Sequence, residues 1–238
     1  MEELMSQPSL FVAGATGFVG KALVAHGRAA GHRVVAHVRP DSAQLQKWQA
    51  HFAALGAEVS TVAWQTEAMT AELQRLGPTV VFCCVGTTQK RMGRDGKAAN
   101  SYEAIDYGLT KLLADASHNA GCVQRFVYLS SLGAGPKASG AYLQWRHRAE
   151  EAVRQSGVSW TIARPSIITG DRDEERPAEH YAGVVLDGLL QVVGALGAAT
   201  LRDRYRSNDD GTLAQAMLRL AFDPQRAGQV VLSENLHL

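Results

Sequence analysis

Cysteine is scarce in this chain of 238 residues, with three in all. An odd number, two of them adjacent at Cys83 and Cys84 in an apolar run, fits neither a disulfide framework nor the spacing of a zinc site. The three read as reduced thiols, which implies a cytoplasmic, reducing location. Excess charge of one sign is also missing, since 24 basic residues face 23 acidic ones for a formal net charge of +1. That balance offers no field to recruit nucleic acid or an anionic membrane. No window holds the roughly 18 apolar residues of a membrane span. The most apolar helical stretch, 182–199, is interrupted by Asp187 and Gln191. The opening "MEELMSQPSL" has no basic region leading into an apolar core and does not read as a signal peptide.

What the chain does have is a rhythm. Apolar runs at "SLFVAG", "RVVAHV", "EVSTVAW", "TVVFCCV", "RFVYLSS" and "SWTIARP" alternate with helical patterns. The helix at 42–56 is expected to open at Asp41 or Ser42, and residues 101–121 to form one long helix. Apolar strands separated by amphipathic helices imply a parallel sheet covered on both faces, an α/β doubly wound Rossmann fold. Residues 1–238 are expected to form one domain. After Ser166 the rhythm gives way to a charged loop, two helical stretches and a last strand, "GQVVLSE". Residues 166–238 therefore read as a small helical cap on the substrate side.

"GATGFVG" follows the first strand and opens the first helix, with Gly14, Gly17 and Gly20 at G-x-x-G-x-x-G spacing. In that context the glycines permit a tight turn, backbone approach to a pyrophosphate and close packing of the helix on the sheet. The helix start presents N–H groups to phosphate. Gly14, Thr16, Gly17, Phe18 and Val19 are thus candidate cofactor contacts. Where NAD binders carry an acidic residue after strand two, this chain has Arg39. A guanidinium there suits a 2′-phosphate, favouring NADP over NAD. Asp41, beyond Pro40, is expected to cap the next helix.

"GATGFVG", "YLSS", the helix of Tyr142 and "ARPSIITG" occur in an order that resembles the short-chain dehydrogenase/reductase superfamily, in its atypical branch. "CCVGTT", "YLQWR" and "GDRDEERP" are similar to the Tat-interacting-protein type of oxidoreductase within it. The resemblance implies hydride transfer at a nicotinamide ring, with Tyr142 as proton donor and Ser131, or its neighbour Ser130, holding the substrate oxygen. It also implies that Val85, Gly86 and Thr87 pass the nicotinamide ribose, and that Pro165 and Ile168 lie by the carboxamide. The family has a lysine where this chain has Arg146, four residues after Tyr142 and on the same helix face. Arginine keeps the positive charge and can reach ribose hydroxyls, but it cannot relay a proton. Asp106 stands where the family often has asparagine, either paired with Arg146 or without a chemical role. Trp64 and Gln65 stand where many relatives have an aspartate against adenine.

These residues imply an NADP(H)-dependent oxidoreductase of a small carbonyl or alcohol substrate, with Ser131, Tyr142 and Arg146 as its catalytic set. A cofactor-binding regulatory protein with little catalysis is the alternative, and an NADP-using isomerase or epimerase a third reading. No metal site is expected, and a protein partner or a homodimer stays open.

Overall fold

The computed structural model describes residues 7–87, 101–166, 168–169 and 208–236. Its strands are β1 (Ser9–Ala13), β2 (Arg33–His37), β3 (Glu58–Ser60), β4 (Val80–Cys83), β5 (Arg125–Leu129), β6 (Trp160–Arg164), β7 (Ile168–Thr169), β8 (Asn208–Asp209) and β9 (Gln229–Leu232). The helices are α1 (Phe18–Ala29), α2 (Leu45–Ala54), α3 (Thr66–Leu76), α4 (Thr110–Ala120), α5 (Ala141–Gln155) and α6 (Asp210–Phe222). A π-helical segment, Glu103–Leu109, runs directly into α4. Seven strands form one parallel sheet in the order β3-β2-β1-β4-β5-β6-β9, and β7 pairs with β8 beside it.

The central strands are apolar at almost every position because both faces of the sheet are covered. Alternate side chains go to opposite layers. Leu10, Val12 and Phe82 pack against Leu23 and Val24 of α1, Phe52 of α2, and Leu213 and Met217 of α6. Phe11, Ala13 and Val81 pack against Met69 and Leu73 of α3, Leu113 of α4, and Ala149 and Val153 of α5. The expected doubly wound α/β fold is therefore present. The C-terminal part is helical as expected, and its described helix α6 lies in the α1 layer while β9 extends the sheet. The charged loop and the stretch 182–199 lie outside the described residues.

Two local expectations are corrected. Strand β3 stops at Ser60 and does not reach Trp64, because Ser60 pairs with His37, the last residue of β2. Helix α2 starts at Leu45 after Gln44, with no side-chain cap. Asp41 does not cap it, because the chain turns at Arg39 through the Ser42 N–H to Arg39 carbonyl bond of 3.1 Å, and the Asp41 carboxylate faces Arg39 at 3.8 Å. Close helix–sheet approach is present at Gly20 as expected, where a Cβ would lie 2.2 Å from the Gly14 carbonyl oxygen just after β1, and recurs at Gly27, where a Cβ would lie 3.0 Å from Val34 Cγ2 and 3.1 Å from Leu10 Cδ1.

His37 is buried at the end of β2, with Nε2 2.9 Å from the Val62 carbonyl and its ring against Trp64. Burial pushes its pKa below the usual value near 6.5, only partly countered by the Val62 bond. The unfolded chain then binds a proton that the folded chain refuses, so stability falls as pH drops below about 6.5. Urea unfolding at pH 7.5 and 5.5 is expected to show this loss, and His37→Gln to remove that component of it.

Candidate active site

The strand order reverses direction between β1 and β4, and in open parallel sheets ligands bind outside the carboxyl ends at that point. Two turns meet there. Gly14 has φ of +77°, and a Cβ on it would lie 2.6 Å from the Cys84 carbonyl carbon and oxygen. A Cβ on Gly20 would lie 2.2 Å from the Gly14 carbonyl oxygen, and one on Gly17 3.1 Å from the same atom. Gly14 and Gly20 are thus demanded by the turn itself, and Gly17 is tightly placed within it. Its closing bond runs from the Gly17 N–H to the Gly14 carbonyl at 2.9 Å. Helix α1 begins next, with no side-chain cap and no acidic residue in its first turn, which keeps its start compatible with phosphate. The Val19 side chain is buried in the core, so only its backbone can face a ligand, and Phe18 is partly packed on the same cluster. Thr16 lies within the turn.

After β4 the chain continues through Val85, Gly86 and Thr87 under unusual constraint. Arg146, 7 % exposed, directs its guanidinium into the ends of β4 and β5. Nη1 donates to the Leu129 carbonyl at 2.9 Å, the Tyr128 hydroxyl at 3.0 Å and the Val85 carbonyl at 3.3 Å. Nη2 lies 3.1 Å from Oδ1 of fully buried Asp106, whose Oδ2 accepts from the Thr87 N–H at 3.1 Å. Gly86 allows this approach, since a Cβ there would lie 2.2 Å from Arg146 Nη2. The π-helical segment carries Asp106 at its buried position. Of the two readings of Asp106, pairing with Arg146 is the one the structure displays. Burial pushes the Asp106 carboxyl above its usual range, and the Arg146 charge pulls it part of the way back. Burial likewise raises the Cys83 and Tyr128 pKa values, which leaves both groups neutral.

Tyr142 lies in the first turn of α5, half-buried, with its ring 5.3 Å from Arg146 Cζ and 5.4 Å from the Tyr102 ring. Ser131 follows β5 at the same end of the sheet, and its hydroxyl makes only a 3.4 Å contact with the Leu132 carbonyl. Ser130 differs: its buried hydroxyl donates to Glu150 at 2.6 Å. Pro165 follows β6, and its carbonyl accepts from the Leu132 N–H at 2.8 Å. Ile168, on β7, packs on the α1-side core. Arg39 stands apart at the end of β2 with its side chain 58 % exposed. The fold therefore gathers the glycine turn, Val85–Thr87, Ser131, Tyr142 and Pro165 at one edge of the sheet. Arg146 lies beneath that edge and not on its surface, unlike the ribose contact that the family lysine implied. Among the described residues no group of three metal-ligating side chains occurs. None of their helices is long and apolar enough to cross a membrane.

Residues 14–186, more than half of the chain, match the NAD(P)H-binding family. The chain belongs to that family. It is 31% identical over 201 residues to protein fmp52, mitochondrial, of Aspergillus niger, covering 83% of this chain and 80% of the relative. It is 32% identical over 166 residues to protein HTATIP2 of Rattus norvegicus, covering 68% and 62% of the two chains. Among solved structures, ChuY, an anaerobillin reductase from Escherichia coli O157:H7, superposes with a TM-score of 0.62 at 18% identity, covering 94% and 95%. These likenesses fit the atypical short-chain dehydrogenase/reductase branch, and the match to HTATIP2 agrees with the resemblance seen in the sequence motifs.

Two contributors went unnoticed in the sequence: Tyr128 as a partner of Arg146, and Glu150 as a partner of Ser130. Glu150 was detectable, because Arg146, Ala149, Glu150 and Val153 fall on one helical stripe and all are buried. Asp106→Ala is expected to leave the Arg146 charge buried without its carboxylate and to cost about 3–5 kcal/mol. Urea unfolding at pH 7.5 checks this, and the isosteric Asp106→Asn is expected to lose less.

Proposed function

We propose that this protein is an NADP(H)-dependent oxidoreductase that exchanges hydride with a small carbonyl or alcohol substrate. The observation that carries this reading is the half-buried phenol of Tyr142, held 5.3 Å above a buried, ion-paired guanidinium at the carboxyl edge of a dinucleotide-type sheet. The cradle suits a dinucleotide, since Gly14 lets the β1 turn lie against the backbone after β4 and Gly20 lets helix α1 start close to that turn, where side chains would collide. NADPH, when bound, supplies the hydride that forms the new C–H bond at the carbonyl carbon. Ser131 donates a hydrogen bond to the carbonyl oxygen as negative charge grows on it. Tyr142 gives that oxygen its proton, and the reverse transfer serves alcohol oxidation. Arg146 supplies a fixed positive field beneath Tyr142 and keeps the β4 and β5 ends in register.

The choice of NADP rests on Arg39. No acidic residue ends β2, where His37 is buried and Arg39 projects outward. A 2′-phosphate would replace Asp41 as its partner through stronger charge-assisted bonds. One feature favours a second reading, a cofactor-binding regulatory protein with little catalysis. Arg146 is bound to four protein groups and cannot carry a proton between Tyr142 and solvent. The same proposal takes a small molecule as substrate, leaves a protein partner or homodimer open, and keeps a reducing compartment, because all three cysteines are free. The mitochondrial designation belongs to fmp52.

Tyr142→Phe is expected to abolish NADPH oxidation against a panel of carbonyl substrates while leaving NADPH affinity within about twofold. Retained turnover would remove Tyr142 from the proton role. Arg39→Ala is expected to raise the Kd for NADPH about tenfold, equal to about 1.4 kcal/mol, and to leave NADH binding unchanged. Equal losses for the two cofactors would remove Arg39 from phosphate recognition.

A further inference from the structure

Glu150 has no place in the chemistry above, yet it holds the segments that carry it. It is fully buried on α5, four residues beyond Arg146 and eight beyond Tyr142. Its Oε1 accepts from Ser130 Oγ at 2.6 Å and from Arg164 Nε at 2.8 Å. Its Oε2 accepts from Arg164 Nη2 at 2.6 Å and from Arg154 Nη2 at 2.9 Å. The Arg164 pairing is a two-pronged fork, the geometry that fixes a carboxylate in orientation as well as distance. Four such bonds in a dry interior leave the carboxylate one position.

Two of the three partners are immediate neighbours of residues at the site, while Arg154 joins from the same helix. Ser130 precedes Ser131, and Arg164 precedes Pro165. Backbone bonds complete the frame, from the Ser130 N–H to the Ala163 carbonyl and from the Leu132 N–H to the Pro165 carbonyl, both 2.8 Å. Ser131 therefore sits between two fixed residues, while among the described residues its own hydroxyl makes a single contact of 3.4 Å. Strands β5 and β6 lie on one side of the β1–β4 crevice, and β2, with Arg39, lies on the other. A constraint acting through Ser130 and Arg164 thus bears on the nicotinamide half of a bound dinucleotide and not on its adenosine half.

We infer that Glu150 is a positioning residue for the nicotinamide half of the site, setting Ser131 and the α5 face of Tyr142 through Ser130 and Arg164. This rests on the cofactor reading above. A buried ion pair is by itself weak evidence of a contribution to stability, whereas it readily fixes one arrangement among several. What Glu150 does is set geometry.

The test uses the full chain and two variants, Glu150→Gln and the milder Ser130→Ala. Calorimetric titration compares NADPH and NADH with their adenosine fragments, 2′-phosphoadenosine 5′-diphosphate and adenosine 5′-diphosphate. Glu150→Gln is expected to weaken the preferred dinucleotide about tenfold and Ser130→Ala about threefold, with fragment affinities within about twofold. Amide hydrogen exchange is expected to quicken at 130–133 and to stay unchanged over β1 and α1. Equal weakening of dinucleotide and fragment, unchanged dinucleotide affinity, or unchanged exchange at 130–133 would overturn the inference. Should Glu150→Gln fail to fold, the same split in Ser130→Ala decides. Failure of the unaltered protein to bind either dinucleotide would instead overturn the cofactor reading, and this inference with it.

Discussion

The buried pair of Arg146 and Asp106 is the constraint on which the carboxyl edge of the sheet depends. One guanidinium reaches the last carbonyl of β5, the Val85 carbonyl just beyond β4, a tyrosine hydroxyl on β5 and a carboxylate on the π-helical segment. Its charge could not remain in that interior without the carboxylate. The carboxylate in turn holds the Thr87 N–H, so the turn after β4 is shaped from below. Gly86 follows from the same contact, since any side chain would occupy the space of Nη2. On the other side of the crevice, Gly14 lets the β1 turn lie directly on Cys84. The floor of the site is thus a backbone surface with one positive charge under it.

That arrangement changes what an arginine in place of lysine means. A lysine ammonium is a flexible point charge that can reach a ligand and exchange protons, while a guanidinium is a planar fork that suits several fixed acceptors at once. Here both terminal nitrogens of the fork are engaged by the protein, with Asp106 as the counter-ion. Tyr142 retains a cation beneath it and gains a second aromatic ring, Tyr102, beside it. On the proposed reading, the arginine is a structural tie where the family resemblance implied a ligand contact.

Much of this was legible in the sequence because strand alternation, the glycine spacing and the Tyr142 helix are local patterns. The apolar runs located β1 to β6, and "GATGFVG" located the turn between β1 and α1. What escaped was set by partners distant in sequence. Asp41 carries a helix-capping residue type, yet its carboxylate turned to Arg39. Gly20 was legible from the glycine spacing, whereas the close approach at Gly27 is set by Leu10 and Val34, which no local pattern ties to it. Ser130 and Ser131 are indistinguishable in a string of letters. The buried Glu150 separates them by binding one and leaving the other's hydroxyl with a single long contact.

A crystal structure of the full chain with NADPH tests the central claim most directly. The expected result is a pyrophosphate over Gly14–Phe18 and a nicotinamide ring beside Ser131 and Tyr142, with Arg146 still paired to Asp106 beneath the β4 turn. An Arg146 side chain swung out onto the nicotinamide ribose, leaving Asp106 without it, would contradict the internal tie. So would a dinucleotide bound away from the β1–β4 crevice.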